Sequence, residues 1–374
     1  HNVDRFGYLI PHRYGNVPMV GAVATYRPGE GRFGRGAVAI EEGTENLIIN
    51  PLFKNGLNGW AKEWADSNNT IEVENISTPC GDKALVVTAQ GGTPSPYQRI
   101  DLPVGTIVTV TVMVRRVSGE GNPYLRWGAG YNMEPPLDIK ENGKWYTFSR
   151  TGEVGGNRNL ISRTPTNASA RFEYAFVQLE EKPFATSFVD GTRANGILRY
   201  YDELASGDDY TIALWAKAHT NDPSTWQVLF DGRDARSRSM LAFSTSGVLT
   251  IFYRGIFRST GFLMADRTGW HHYVLTFTGP RSSGTFRVFV DGQLVYTYED
   301  SLQLPGTSGM YIGRGIPENE LWNGLIDELL ILPYAASEEE IASWYEAQGP
   351  LPPHPQALLQ WDRQAVRSAQ MVKL

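Results

Sequence analysis

Hydrophobic and polar residues alternate along much of the chain with a period of two, which is typical of β-strands that bury one face. The clearest run is 107–117, where Val alternates with Thr and Arg, and shorter runs occupy 84–87, 144–148 and 171–179. Asp291-Gly292 separates two further alternating runs, and this dipeptide favours the tight turn of a β-hairpin. The pattern predicts an all-β protein built from β-sandwiches.

Helical spacing occurs near the C-terminal end. Ser337 and Glu340 match a capping box, in which each side chain satisfies a free backbone amide at a helix start. Three apolar residues then share one helical face: Ile341, Trp344 and Tyr345. After a proline-rich spacer, residues 356–374 have an apolar stripe that predicts a last short helix: Leu358, Trp361 and Ala365.

The length of 374 residues exceeds one ordinary core and predicts two domains. The patterns place an extended arm at 1–45, a first sandwich at 46–193, a second at 194–349, and a Pro-rich linker with a helix at 350–374. Residues 37–40 of the Gly- and Arg-rich arm can add a strand to a neighbouring sheet or belong to a flexible tether. The expected fold class is all-β: two jelly-roll sandwiches with an extended N-terminal arm and a short C-terminal helical tail.

Charge and cysteine content narrow the class of partner. The net charge is −6 with the signs interspersed, so no basic stripe for nucleic acid is expected. Long uncharged apolar runs are absent, so no membrane insertion is expected.

The single Cys80 cannot form an intrachain disulfide, as expected of a chain that folds in a reducing cytosol. The start has no signal-peptide pattern, and His1 in place of Met indicates a processed precursor or a portion of a larger protein.

An ordered series of motifs marks the second sandwich. These are Trp215, Gly269–Tyr273, Val290–Gly292, Ile312-Gly313 and Gly324–Glu328. In this order they resemble a laminin-G-like (concanavalin A-like) jelly-roll domain. Lectins, adhesion modules and a minority of glycosidases share that family, so the resemblance implies a fold and leaves the function open.

The first sandwich resembles a different family. Residues 45–60 are similar to the opening strand of β-sandwich carbohydrate-binding modules, and the same opening occurs in many phage tail proteins. Residues 178–188 resemble the junction that joins such a module to the next segment in phage tail and fibre polypeptides. The combination with the second motif series implies a virion structural protein.

Catalytic chemistry is not expected. Glycosidases of the concanavalin A-like class need two carboxylates on one face of a strand. Asp327 and Glu328 are adjacent and are expected to lie on opposite faces, where they belong to the fold. His271 and His272 are also adjacent, so they point apart and are expected to be structural. The sequence therefore predicts a protein that is not an enzyme.

A cofactor is not required, but calcium is possible because jelly rolls of both resembled families often bind it. In the first domain, Lys54 stands where the family frequently has an acidic residue, and Tyr174-Ala175-Phe176 lies near the second acidic position. These departures argue against a site there. The weak candidates in the second domain are Asp231, Asp234 and Asp327.

Sugar recognition is expected from aromatic rings with polar neighbours, because a pyranose face stacks on a ring while its hydroxyls need hydrogen bonds. The candidates in the first domain are Tyr124, Trp127, Tyr131 and Trp145. The candidates in the second domain are Trp226, Arg233, Arg236, Tyr253 and Phe257. Trp215 and Trp270 are expected in the core.

The favoured hypothesis is a non-enzymatic structural protein of a phage tail or fibre, located in the virion. It would serve host attachment or particle decoration through glycan or protein contacts, as a homo-oligomer bound to other virion proteins. One alternative is the carbohydrate-binding region of a bacterial secreted or surface protein, located outside the cell or at its surface. A glycosidase is the third.

Overall fold

The computed structural model describes most of the chain. The described residues are 25–27, 29–34, 37–99, 101–127, 135–155, 159–163, 169–196, 199–200, 209–221, 225–232, 240–253, 256–279, 284–300, 310–316, 319–347, 349 and 359–360. They contain strands and one α-helix, which confirms the all-β fold class. No helix in these ranges is long and apolar enough to cross a membrane.

The chain divides into two compact units. We call residues 43–193 the insert unit, because they interrupt the other unit, and we call residues 1–42 with 194–374 the host unit. The host unit begins with an antiparallel hairpin of two strands, β1 (Thr25–Arg27) and β2 (Ala37–Ile40).

The insert unit is a β-sandwich. Its strands are β3 (Thr44–Glu45), β4 (Ala61–Glu63), β5 (Thr70–Glu74), β6 (Ala84–Gln90), β7 (Ser95–Arg99), β8 (Ile107–Gly119), β9 (Tyr124–Trp127), β10 (Tyr146–Glu153), β11 (Asn159–Arg163), β12 (Ser169–Glu180) and β13 (Thr192–Arg193). One sheet has the order β10-β8-β12-β6-β5, a second has the order β4-β7-β11-β9, and β13 pairs with β3. Alternation in β8 directs Val108, Val110 and Val112 into the core with Trp60 and Leu125.

The junction after β12 closes the insert unit through buried polar side chains. Glu180 is fully buried and accepts hydrogen bonds from the Thr44 hydroxyl (2.7 Å) and from the backbone and hydroxyl of Thr186. The Asn46 amide donates to the carbonyl oxygens of Val177 (3.2 Å) and Val189 (3.0 Å). These bonds tie the first and last segments of the unit together, and each removes an unsatisfied group from the interior. Asn46 of the opening segment and Glu180 and Thr186 of the junction therefore help to join these two segments in the structure.

The rest of the host unit contributes twelve strands and the helix within the described ranges. They are β14 (Arg199–Tyr200), β15 (Tyr210–Ala218), β16 (Gln227–Asp231), β17 (Met240–Phe243), β18 (Val248–Tyr253), β19 (Ile256–Leu263), β20 (His271–Thr278), β21 (Gly284–Val290), β22 (Gln293–Asp300), β23 (Met310–Ile312), β24 (Gly324–Leu332), α1 (Glu338–Glu346) and β25 (Leu359–Gln360). The hairpin predicted at Asp291-Gly292 is confirmed: both residues have positive φ, at 50° and 76°, and they join β21 to β22.

Two sheets enclose the host core. The eight-stranded sheet has the order β1-β2-β24-β15-β20-β21-β22, with β25 also paired to β24. The six-stranded sheet has the order β14-β23-β16-β17-β18-β19. Leu214 and Ile326 from the first sheet pack with Leu241 and Phe243 from the second. Gly313, at φ 69°, leaves room for Ile40 of the arm, since a Cβ there would lie 2.8 Å from that side chain.

Segments from both ends of the host unit pair with the same edge of β24. Strand β2 pairs with its first half, from Val38 opposite Ile326 to Ile40 opposite Gly324, so the predicted addition of 37–40 to a sheet is confirmed. Strand β25 pairs with the second half. The helix predicted over 356–374 is wrong at residues 359–360, because that edge offers unpaired backbone groups that a strand satisfies. Its stripe residues Leu358, Trp361 and Ala365 lie outside the described residues.

The predicted helix at Ser337 is confirmed and covers part of the outer face of the eight-stranded sheet. The Ser337 hydroxyl accepts from the Glu340 amide at 3.2 Å, so it caps the helix start. Ile341 and Trp344 are buried against apolar residues of four strands: Ala213, Val274, Phe289, Leu330 and Leu332. The unit thus has a third layer on this side.

Arg32 of the arm completes that layer. Its guanidinium lies 3.4 Å from the centre of the Trp215 ring and pairs with Glu328 at 3.3 Å. It also donates to the carbonyl oxygens of Tyr345 (3.0 Å) and Ala347 (3.1 Å) at the end of α1. The last turn of α1 has no basic residue of its own, so Arg32 supplies the cation that the helix C-terminus favours. Arg32 therefore links the arm to the C-terminal end of the helix.

We predict that Arg32→Ala lowers the free energy of unfolding by about 3 kcal/mol, because it takes the guanidinium away from the largely buried Glu328 carboxylate and uncovers Trp215. Denaturant unfolding of the full chain measures this change. The control is Arg287→Ala, whose exposed pair with Glu338 spans 3.8 Å and is expected to contribute less than about 1 kcal/mol. Equal losses in the two variants would contradict the assignment.

Candidate functional site

Aromatic side chains gather on the outer face of the six-stranded sheet. Val228, Met240 and Ala242 form a buried base on this face, and Trp226 and Phe252 pack on it. Trp226 directly precedes β16, and Phe252 lies in β18, so the two rings come from separate strands of one sheet. The alternation of each strand turns these residues away from the core that Leu241 and its neighbours fill.

Phe257 of β19 extends this arrangement toward solvent. Its ring centre lies 4.8 Å from that of Trp226 and 4.8 Å from that of Phe252. Phe257 is the register partner of Phe252, which fixes their contact, and it remains 47% exposed. We call Trp226, Phe252 and Phe257 the aromatic shelf.

The structure thus brings together two of the five candidates in this domain, Trp226 and Phe257, which are far apart in sequence. The side chain of Tyr253 and all of Arg233 and Arg236 lie outside the described residues. Sequence reasoning missed Phe252. The alternation of β18 carried the signal, since Thr250 and Phe252 share the face opposite the buried Ile251.

The four ring candidates of the insert unit do not form a described cluster. Tyr124 is half-buried in the four-stranded sheet, and Trp145 is half-buried just before β10 of the five-stranded sheet. The Arg115 guanidinium lies 4.6 Å from the Trp145 ring centre, so it already covers one face of that ring. The side chain of Trp127 and all of Tyr131 lie outside the described residues.

Asp327 and Glu328 do not point to opposite faces, so that expectation was wrong. Both meet Arg32: Asp327 accepts its backbone amide at 3.0 Å and Glu328 pairs with its guanidinium. The reason is a register shift between β15 and β24, together with a left-handed backbone at Glu328, with φ at 49°. The carboxylates hold the arm, which gives the acidic pair a role in the fold.

His271 and His272 separate as expected. His271 pairs through Nδ1 with Asp291 at 2.8 Å, whereas His272 is buried and stacks on Trp215 with ring centres 5.0 Å apart. Burial lowers the pKa of His272 to about 3, and the nearby Arg32 contributes to this lowering while Asp291 opposes it. A neutral imidazole at this position fits a structural role.

Of the two Trp residues expected in the core, Trp215 is buried and Trp270 is only half-buried. Trp270 packs against Ala37, Ala39 and Leu325 on the outer face of the eight-stranded sheet. The prediction for Trp270 was wrong in degree because the arm covers this part of the sheet with small side chains.

The calcium candidates do not converge on a site in the part of the chain that is described. Asp231 is buried in β16 and accepts the Ile316 amide at 2.9 Å, whereas Asp327 lies in the other sheet and serves Arg32. Asp234 lies outside the described residues. Across the described ranges, no group of three or more His, Cys, Asp or Glu side chains could hold a metal ion. Asp231 and Asp327 therefore do not meet at one site.

Comparison with known proteins identifies the class of the fold. Residues 190–342 match the sequence family described as the concanavalin A-like lectin/glucanases superfamily. The match contains the aromatic shelf and strands β14 to β24 of the host unit. The chain therefore carries a concanavalin A-like lectin-type fold. No curated protein sequence matches the chain.

Solved structures resemble the chain at low sequence identity. Domain 4 of AbnA, a GH43 extracellular arabinanase from Geobacillus stearothermophilus solved in complex with arabinotriose, is 17% identical, with a TM-score of 0.32 over 44% of this chain and 81% of that one. A candidate carbohydrate binding protein from Bacteroides ovatus is 11% identical, with a TM-score of 0.35 over 72% and 83%. The botulinum neurotoxin type G receptor binding domain is 10% identical, with a TM-score of 0.31 over 41% of this chain and 40% of that one.

We predict that His272 makes stability fall in mild acid. The pKa is about 3 in the folded chain and about 6.5 in the unfolded chain, so unfolding takes up a proton between these values. Stability is therefore full above the unfolded pKa and declines as the pH falls below it, by about 2 kcal/mol between about pH 7 and about pH 5.

His272→Phe keeps a ring on Trp215 and removes the titration. Denaturant unfolding across this pH range should show a smaller acid loss in the variant than in the native chain. Carboxylates titrate in both proteins and cancel in the comparison. Identical pH profiles would show that His272 does not carry the effect.

Proposed function

We propose that this protein binds carbohydrate through the aromatic shelf and does not catalyse a reaction. The observation that carries the proposal is the contact of the Trp226 and Phe257 rings, tilted by 36° to each other, on an outer sheet face within the segment of lectin-type fold. Their rings provide the apolar surface on which the C–H face of a pyranose stacks.

The engagement of Asp327 and Glu328 with the arm supports a binding role. Hydrolysis of a glycosidic bond by this class of fold needs one carboxylic acid and one carboxylate facing the substrate. Both groups instead bind Arg32, and Glu328 is 9% exposed. Freeing them would require the arm to leave the sheet.

We further propose that the chain is part of a phage tail or fibre and serves attachment or particle decoration. The support is the sequence: the opening at 45–60, the junction at 178–188 and the second motif series resemble phage structural polypeptides in combination. In this setting the chain is a homo-oligomer bound to other virion proteins, and weak binding at each shelf is multiplied by the number of copies. Electron microscopy of phage particles labelled with antibody against this chain tests the setting, since the alternative, a secreted or surface protein, leaves particles unlabelled.

We predict that Phe257→Ala and Trp226→Ala each weaken glycan binding by about tenfold, which corresponds to about 1.4 kcal/mol. The measurement is binding of the full chain to an array of bacterial surface polysaccharides, followed by titration of each hit. Phe257→Ala is the cleaner test because the ring is half-exposed and its loss costs little stability.

The matched control is Trp64→Ala, which removes a Trp of similar exposure, 52%, from the insert unit. This variant is expected to bind array hits as the native chain does. Unchanged binding in both shelf variants would overturn the shelf as the site, and glycan hydrolysis by the native chain would overturn the non-enzymatic role.

A further inference from the structure

The opening loop of the insert unit encloses a cavity that is distinct from the aromatic shelf. It has a volume of about 280 Å³ and is open to solvent. Its principal lining residues are Ile49, Asn50, Lys54, Asn55, Asn58 and Asp190. The volume is close to the roughly 300 Å³ at the lower end for ligand pockets, so it suits one or two sugar rings.

The loop is held in a strained shape around this cavity. Asn50 and Phe53 have positive φ, at 55° and 57°, which is rare for residues other than glycine and least favourable for a bulky ring. Phe53 is fully buried against Trp60, with ring centres 5.6 Å apart. The Asn50 amide donates to the Gly56 carbonyl at 2.8 Å and fixes the loop from inside. Strain that the surroundings maintain in this way is concentrated at functional sites.

Polar groups at the rim are available to a ligand. The side chains of Asn55 and Asn58 are exposed and make no hydrogen bond within the described ranges. The Lys54 ammonium lies 2.5 Å from a carboxylate oxygen of Asp190, so the rim has a strong donor next to a strong acceptor. Ile49, which is 58% exposed, supplies an apolar surface at the same cavity.

The charges of the rim exclude ions as preferred ligands. Lys54 and Asp190 neutralise each other, so a divalent cation would meet the ammonium and a phosphate would meet the carboxylate. Lys83 adds a second ammonium, which donates to the Lys54 carbonyl at 3.0 Å and opposes a cation further. An uncharged compound with many hydroxyl groups matches this balance.

We propose that the cavity is a second saccharide site, separate from the aromatic shelf, that binds one or two rings of a neutral sugar. The Asn55 and Asn58 amides pair with neighbouring hydroxyls, because each amide offers a donor and an acceptor. The Lys54–Asp190 pair binds a further hydroxyl, and Ile49 contacts the C–H face of the ring. The chain then contacts glycan through both of its units.

The test is saturation-transfer NMR of the full chain with glucose, galactose and N-acetylglucosamine as probes, followed by titration of the sugar that binds. The double variant Asn55→Ala with Asn58→Ala is expected to weaken binding at least about tenfold, since two hydrogen bonds are lost. Its melting temperature should not change, because these side chains bond to no described residue.

Asn68→Ala is the matched control, since it removes an exposed amide elsewhere in the insert unit and should not alter binding. The same titrations are also made in a Trp226→Ala background, which removes the aromatic shelf, so that the sugar binding they measure is that of the cavity. The proposal is overturned if none of the three sugars binds, if the double variant binds as the native chain does, or if calcium rather than a sugar raises the melting temperature.

Discussion

The host unit depends on covering the outer face of its eight-stranded sheet, and the contact of Arg32 with Trp215 completes that cover. A sheet in a sandwich usually leaves one face to solvent, but here Trp215 and His272 occupy that face. The helix α1 covers one part through Ile341 and Trp344. The part of the face around Trp215 is covered by the Arg32 guanidinium. This planar group lies on the indole ring and pairs at its edge with the Glu328 carboxylate.

The insert unit joins its first and last segments with neutral side chains and one buried carboxylate. Its ends meet through Asn46, Glu180 and Thr186, whose bonds run to backbone groups and to one another. Removal of one member of such a network strongly destabilises the fold, because the polar groups it was bonded to stay buried. Both units therefore place specific polar residues where distant segments meet, and the proposed sugar sites use aromatic and amide groups at their surfaces instead.

Local rules predicted much of this structure. Alternation identified strand β8, Asp291-Gly292 identified a hairpin, and Ser337 identified the helix start, because each signal acts within a few residues. The failures have a common cause in tertiary structure. A β-bulge turned Glu328 toward Arg32, and edge pairing made a strand of residues 359–360. The cavity of the insert unit was missed because its shape comes from residues with left-handed backbone, which the periodicity of hydrophobic residues does not indicate. The aromatic shelf was predicted only in part, because Phe252 was missed.

The arm has a consequence for the order in which the chain folds during synthesis. Arg32 and Asp327 are 295 residues apart, and the hairpin of β1 and β2 has no sheet edge to join until β24 has been made. The insert unit lies wholly between Arg32 and Asp327 in sequence and contains its own core, so it can fold before the arm has a strand to pair with. Long-range pairing of this kind is slow because loop closure must come first. Strand β25, which leaves the ribosome later still, pairs with the same edge of β24. An early segment and a late segment of the nascent chain therefore complete the pairing of that edge together.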